Sequence, residues 1–234
     1  MRTASFRIVL ILIAASALGA IQASADTLGT VDLENHNNNF SDMGTIYGDG
    51  YPGGANPYTG IYSWTNAGGT GLGAQVPNWG FCIEIPQPAK DGSVDVIPLA
   101  EAPLPPLYGL PMGTTKADYI RELWGRDFDP SWITGANTEM AEAFSVAIFE
   151  IIYETDPAWN VNSGAGFHVG ADVEQAATAN IWLGQLNGNS AYFANNLVAI
   201  STTDGQDYVV QVPEPATLSL LAVGAAALLR RRKR

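Results

Sequence analysis

Residues 137–154 constrain the fold of this chain more than any other segment, because they are apolar almost all the way round a helix. Met140, Phe144, Ala147, Ile148, Ile151 and Ile152 recur at helical spacing, and Val146 and Phe149 widen their stripe beyond one face. Such a helix has no side to turn to water, so it must be the buried centre of a domain with other elements packed around it. Asn137 or Thr138 can cap its start, with Glu139 in the first turn. Two other helices are expected beside it. One covers residues 116–124; the other runs from Asp172, a good N-cap, through Val173, Ala176, Ile181, Leu183 and Leu186 to the stop residue Gly188.

The chain upstream of these helices reads differently. Residues 28–98 are rich in Gly, Asn, Pro and Tyr and carry short alternating runs at 45–47, 61–64, 79–85 and 94–97. Short β-rich runs between turn residues predict an antiparallel sheet or barrel with long surface loops. The proline-rich run 102–107 breaks regular structure and reads as an extended linker. A strand-like run, 207–211, closes the domain. Strands first and helices second, rather than alternating, predict an α+β fold with a β-rich N-terminal half followed by a helical part.

Both ends carry targeting signals. Arg2 and Arg7 precede an apolar run, and small residues at Ala23 and Ala25 follow it, which is the order of a cleavable secretory signal over residues 1–25. The alternative, a first membrane span, fits less well because the apolar run is shorter than the roughly 20 residues a span needs. At the other end Pro213, Glu214 and Pro215 precede the uncharged stretch from Ala216 to Leu229 and a final cluster of Arg230, Arg231, Arg232, Lys233 and Arg234. Basic residues stay on the cytoplasmic side, so this tail is expected to sit in the membrane with the main domain outside. Its apolar part, roughly 14 residues at ~1.5 Å each, is short against a hydrocarbon core of ~30 Å and suits a temporary anchor.

The Pro-Glu-Pro motif, the apolar helix and the basic end, in that order, resemble a PEP-CTERM sorting signal over residues 212–234. That resemblance implies recognition of Pro213, Glu214 and Pro215 by an exosortase-type transpeptidase in the membrane. It further implies cleavage near the motif and delivery to the cell envelope surface or extracellular matrix. An ordinary tail anchor preceded by a proline turn is the alternative.

Between the signals, residues 26–211 are long enough for a real hydrophobic core. Of the 11 basic and 23 acidic residues, two and five basic ones lie in the two signals and Glu214 in the tail, which leaves four basic against 22 acidic. A domain this acidic is a poor partner for nucleic acid or anionic lipid, which require basic side chains. The charge is compatible with divalent cations, but it also simply keeps an exported protein soluble. Cys82 is the one cysteine, so no internal disulfide exists and stability must come from packing, for which 6 Trp, 9 Tyr and 8 Phe are ample.

Phe81, Cys82, Ile83 and Glu84 on an expected strand, followed by the helix carrying Ser145, Ala147 and Phe149, resemble the thioester domains of bacterial surface proteins. In that family an aromatic-Cys-x-Glu strand precedes a Gln-x-Ala-x-Trp helix. The resemblance implies an internal thioester between cysteine and glutamine, used for covalent adhesion. Here Cys82, Ala147 and Phe149 carry over, but the glutamine position is Ser145, which has no carboxamide. Cys82 is therefore either a buried structural thiol, a thioester partner of Gln185 or Gln175 instead, or a nucleophile served by His36 or His168.

A further possibility lies between Trp124 and Trp132, where Asp127 and Asp129 stand two residues apart beside Arg126. Acids among aromatics suit a sugar site or a glycosidase pair, and acids at this spacing can begin a calcium loop. The plainer reading is a polar turn. The sequence has no Walker loop, no dinucleotide fingerprint, no H-E-x-x-H, no G-x-S-x-G and no Cys/His metal spacing, so neither enzyme activity nor a cofactor or metal is expected. The function expected is that of an exported surface or matrix protein, structural or adhesive, with envelope polysaccharide as a possible partner. An exported carbohydrate-active enzyme or sugar-binding module using Asp127 and Asp129 is the alternative.

Overall fold

The computed structural model describes residues 26–43, 45–48, 51–55, 57–104, 110–154, 158–163, 166–171 and 173–214. The expected signal peptide, Pro215, the apolar tail and the cap at Asp172 lie outside these residues. No helix of the described residues is long and apolar enough to cross a membrane.

Among the described residues nine strands and three α-helices build the domain. The strands are β1 (Gly29–Met43), β2 (Ile46–Gly48), β3 (Tyr51–Ala55), β4 (Tyr58–Gly71), β5 (Trp79–Cys82), β6 (Gly92–Pro98), β7 (Phe167–Val169), β8 (Leu197–Ser201) and β9 (Tyr208–Gln211). The helices are α1 (Gly113–Asp127), α2 (Thr138–Tyr153) and α3 (Ala176–Leu183). Six strands form a closed barrel in the order β1-β4-β5-β9-β8-β6, and β3, β2 and β7 form a small separate sheet. Every strand pair in both sheets is antiparallel.

The register shows which side chains fill the barrel. Tyr62 pairs with Gly80, Cys82 with Tyr208, Tyr208 with Ile200, Ile200 with Val96, and Val31 with Val94. Paired residues share a face and alternate residues share a face, so this walk round the ring places Val31, Leu33, Trp64, Tyr62, Cys82, Tyr208, Val210, Ile200, Val198, Val96 and Val94 inside. All are buried. Gly80 has no side chain because an added Cβ would stand 2.8 Å from both the Trp64 ring and Val210.

The opposite face divides in two. On β1 and β6 it meets water through Thr30, Asp32, Ser93 and Asp95, so these strands alternate apolar and polar residues. On β4, β5, β9 and β8 it carries Ile61, Phe81, Val209 and Ala199, all buried. A strand buried on both faces reads as a continuous apolar run, which is why β8 and β9 show no alternation.

The helices cover that side. Phe144 on α2 packs against Phe81 at 5.0 Å, Trp124 at 5.6 Å and Trp132 at 5.6 Å between ring centroids, and Phe128 and Trp182 complete an aromatic cluster between sheet and helices. From Ala141 to Tyr153 every residue of α2 is buried, as its composition demands. Its C-terminal carbonyls are met by Lys116 of α1, whose Nζ donates to the carbonyls of Ile151, Ile152 and Glu154, each at 2.7 Å. A cation here satisfies orphan carbonyls and opposes the negative end of the helix dipole. Burial lowers this ammonium to about 8.

The β-rich N-terminal half and the helices match expectation, but several particulars do not. β8 and β9 come from the end of the domain and insert between β5 and β6, so the halves interlock instead of lying in series. Met140 and Ile181, read as core, are 42% and 65% exposed. α3 is shorter than expected, ending at Leu183, and residues 187–189 beyond it dock on Glu122 of α1. Asn137 occupies the N-cap of α2 with a left-handed backbone and no side-chain capping bond. The described start of the proline-rich run, residues 102–104, is no free linker: Ala102 is buried, and Leu104 donates to the Leu110 carbonyl at 2.9 Å, while residues 105–107 lie outside the described residues.

Replacing Phe144 with Ala empties the centre of the aromatic cluster, and a loss of about 3–5 kcal/mol in unfolding free energy is expected from denaturant titration.

Candidate functional site

Cys82 is the last residue of β5 and has no exposed surface. Its Sγ donates to the Glu84 carbonyl at 2.9 Å and accepts from the Glu84 amide at 3.3 Å. Burial pushes the thiol well above its ordinary range, so thiolate is disfavoured. The alternation of β5 sends Phe81 toward Phe144 on α2 and Cys82 into the barrel. Ser145, Ala147 and Phe149 are fully buried on α2, on the outer side of the sheet, and the Ser145 hydroxyl has no hydrogen-bond partner among the described residues. Gln185 is exposed and donates to the Ile181 carbonyl at 3.4 Å, while Gln175 donates to Glu142 at 2.7 Å. None of these bonds involves the thiol.

Asp127 and Asp129 flank Phe128 at the end of α1. Asp129 is exposed and caps the following 3₁₀ turn, accepting the Ser131 amide at 2.8 Å. Asp127 is half-buried, with Oδ2 unpartnered among the described residues, and desolvation raises it to about 6 against the opposing influence of Arg126. Arg126 turns instead to Glu122, donating through Nε at 2.9 Å and through an Nη at 2.8 Å, and lies 3.6 Å over the Tyr192 ring. The second oxygen of Glu122, fully buried, accepts the amides of Asn187, Gly188 and Asn189 at 3.1, 2.7 and 3.2 Å. This array anchors a loop to α1.

The described cleft lies at the barrel end near Cys82, with a volume of about 340 Å³. His36, Asn37, Tyr58, Tyr62, Gln87 and Gln206 line it, with Pro57, Ile85, Pro88 and Ala89. His36 sits on β1, 7% exposed, stacked on Tyr208 at 5.8 Å. Asp91 Oδ1 accepts both the His36 amide at 3.2 Å and Nδ1 at 2.7 Å, which holds that carboxyl below its usual range. Nε2 is buried without a partner among the described residues. The sequence offers His36 only as a base for a nucleophilic Cys82, and nothing in it links this residue to Asp91, 55 residues away. His168, the other histidine, stacks on Tyr47 in the small sheet.

Two acids lie deeper. Asp207 accepts the Thr202 amide at 2.9 Å and the Ser201 hydroxyl at 3.0 Å, yet burial raises it to about 7 with Glu84 adding to the shift. Glu150, on α2, accepts the Asn160 amide at 2.8 Å and is raised to about 7, mainly by burial, with Glu154 reinforcing and Lys116 opposing. Among the described residues there is no cluster of three or more His, Cys, Asp or Glu side chains placed to hold a metal.

At the far end of β9, Gln211 pairs with Leu197, its Oε1 accepts from Trp124 Nε1 at 3.1 Å, and its Nε2 donates to the Asn195 carbonyl at 3.1 Å. Val212 is buried and donates to the Asn196 carbonyl at 3.0 Å. Pro213 and Glu214, two residues of the expected sorting motif, follow at once and are exposed.

Two outcomes follow. Asp207 and Glu150 hold their protons more tightly folded than unfolded, so between about pH 4 and about pH 7 the folded state binds more protons, and stability falls as pH rises through that window. The melting temperature should be lower at pH 8 than at pH 5, and Asp207→Asn with Glu150→Gln should flatten the profile. Because Cys82 and α2 occupy opposite sides of the sheet, the intact mass should equal the residue sum, and methylamine should label neither the wild type nor a folded Ser145→Gln variant. That substitution should cost about 1–3 kcal/mol by overpacking.

No curated protein and no solved structure matches this chain. The thioester-domain resemblance thus gains no support from the comparisons. A family model does match at the C-terminus: residues 211–234 are a PEP-CTERM protein-sorting motif, the mark of a protein sorted by exosortase to the cell surface.

Proposed function

We propose that this chain is a non-catalytic structural or adhesive module of the cell surface or extracellular matrix, held briefly in the membrane by residues 216–229 and then processed by exosortase. The observation that carries this reading is the junction at β9. The sorting motif begins at Gln211, the last residue of a barrel strand, so the barrel itself is the cargo and no further domain stands between it and the tail. A disulfide-free fold with a large aromatic core and an acidic surface suits a protein that works outside the cell as a soluble, rigid body. Envelope or matrix polysaccharide is the partner class in keeping with delivery to that location.

Catalysis is not part of the proposal. The Asp127 and Asp129 pair offered the best sequence case for an enzyme, and Asp129 is engaged in capping a turn. Cys82 has neither exposure nor a thiolate-favouring environment.

The reading is tested by mass spectrometry of protein recovered from the envelope and medium. The C-terminal peptide should end near Pro213 to Pro215 and lack Arg230 to Arg234, and replacing Pro213 and Glu214 with Ala should leave the full-length chain in the membrane fraction. A mature protein that keeps its basic end would be a plain tail-anchored one.

A further inference from the structure

The cleft at the barrel end has the chemistry of a ligand site. Its volume of about 340 Å³ falls within the ~300–1,000 Å³ range of small-molecule pockets. Among the described residues no Asp, Glu, Lys or Arg lines it, although the domain around it is strongly acidic. A charged ligand would find no counter-ion among these lining residues, and an anionic one would be repelled by the domain.

Hydrogen bonding narrows the ligand further. Three polar side chains at the cleft are already engaged: the Tyr62 hydroxyl donates to the Tyr58 carbonyl, Gln206 Nε2 to the Glu84 carbonyl and Gln87 Nε2 to Glu84 Oε1. His36 differs. Its Nδ1 must donate, because its partner is a carboxylate that can only accept. Nε2 is then an acceptor on the neutral ring and a donor on the protonated one. Among the described residues it has no partner, and its side chain is more than nine-tenths buried, a state that costs free energy until something bonds to it. A hydroxyl group satisfies Nε2 in either protonation state. Around it Pro57, Pro88 and the half-exposed ring of Tyr58 offer apolar surface. A ligand with hydroxyls on its edges and an apolar face matches both features.

The direction of β9 decides how such a site is presented. The strand starts at Tyr208, beside His36 and just after the lining residue Gln206, and ends at Gln211, where the sorting motif begins. The cleft and the exit of the tail therefore lie at opposite ends of the barrel.

We infer that this cleft binds a neutral saccharide, with His36 Nε2 bonded to a sugar hydroxyl and Tyr58 stacked on the ring face. The inference rests on the surface-module reading and gives it a binding site that faces away from the membrane-held end.

The test uses the full chain in detergent micelles, titrated with neutral gluco-, xylo- and chito-oligosaccharides, an oligogalacturonate and a proline-rich peptide. Tyr and Trp fluorescence and the ¹⁵N shift of His36 Nε2 are the readouts. Saturable binding of a neutral oligosaccharide is expected, with a moved Nε2 resonance and at least a tenfold loss of affinity in both His36→Gln and Tyr58→Ala. Because Tyr58 is half-exposed, its variant should fold even if His36→Gln does not. Absence of saturable sugar binding, preference for the oligogalacturonate or the peptide, or affinity unchanged in Tyr58→Ala would each overturn the inference. Fractionation of Tyr58→Ala cells separates the two claims, since a variant that loses sugar binding but still reaches the surface leaves the sorting reading intact.

Discussion

The pairing of β9 with β5 is the interaction on which the rest of the structure depends. It joins Cys82 to Tyr208 and Phe81 to Val209, more than a hundred residues apart in the chain, and turns a curved sheet into a closed ring. Closure removes the sheet edges that would otherwise invite pairing with other chains. It also determines which side chains face inward, because one register shift would exchange every residue of β9 between the two faces. Long-range pairing of this kind is slow to form.

With the ring closed, the domain consists of two layers that share one sheet wall. The inner layer is the barrel filling of Trp64, Tyr62, Tyr208 and aliphatic residues, and the outer layer is the aromatic cluster round Phe144. Buried charge is accommodated by full use of its hydrogen bonds where it fixes one element to another. Glu122 gathers three amides and an arginine, and Lys116 gathers three carbonyls. Each holds a helix end or a loop to α1, and together they use two of the few basic residues available outside the signals. At Asp207 burial outweighs the bonds from the Thr202 amide and the Ser201 hydroxyl, and the carboxyl keeps its proton to higher pH instead.

How much of this was legible in the sequence depended on range. The buried helix was evident because its composition leaves no polar face, and β4, β5, β6 and β9 were evident from short apolar runs between turn residues. β8 escaped notice because burial on both faces removes alternation from Leu197 to Ile200. The insertion of the last strands into the barrel has no local signature, so a reading along the chain saw two halves in series. The cleft was illegible for the same reason, since His36, Gln87, Asp91 and Gln206 carry no shared motif. Asp127 and Asp129 were conspicuous because they are neighbours in sequence, yet one of them serves mainly to start a turn. The sorting motif was fully legible, being a contiguous linear signal.

The boundary at Gln211 means that cargo and address overlap by one hydrogen-bonded residue. A tail joined through a flexible spacer can be exchanged among proteins as an independent part. Here the motif as matched cannot be lifted out without breaking the last rung of the barrel ladder, so a transplantable tail starts at Pro213, beyond the buried Val212.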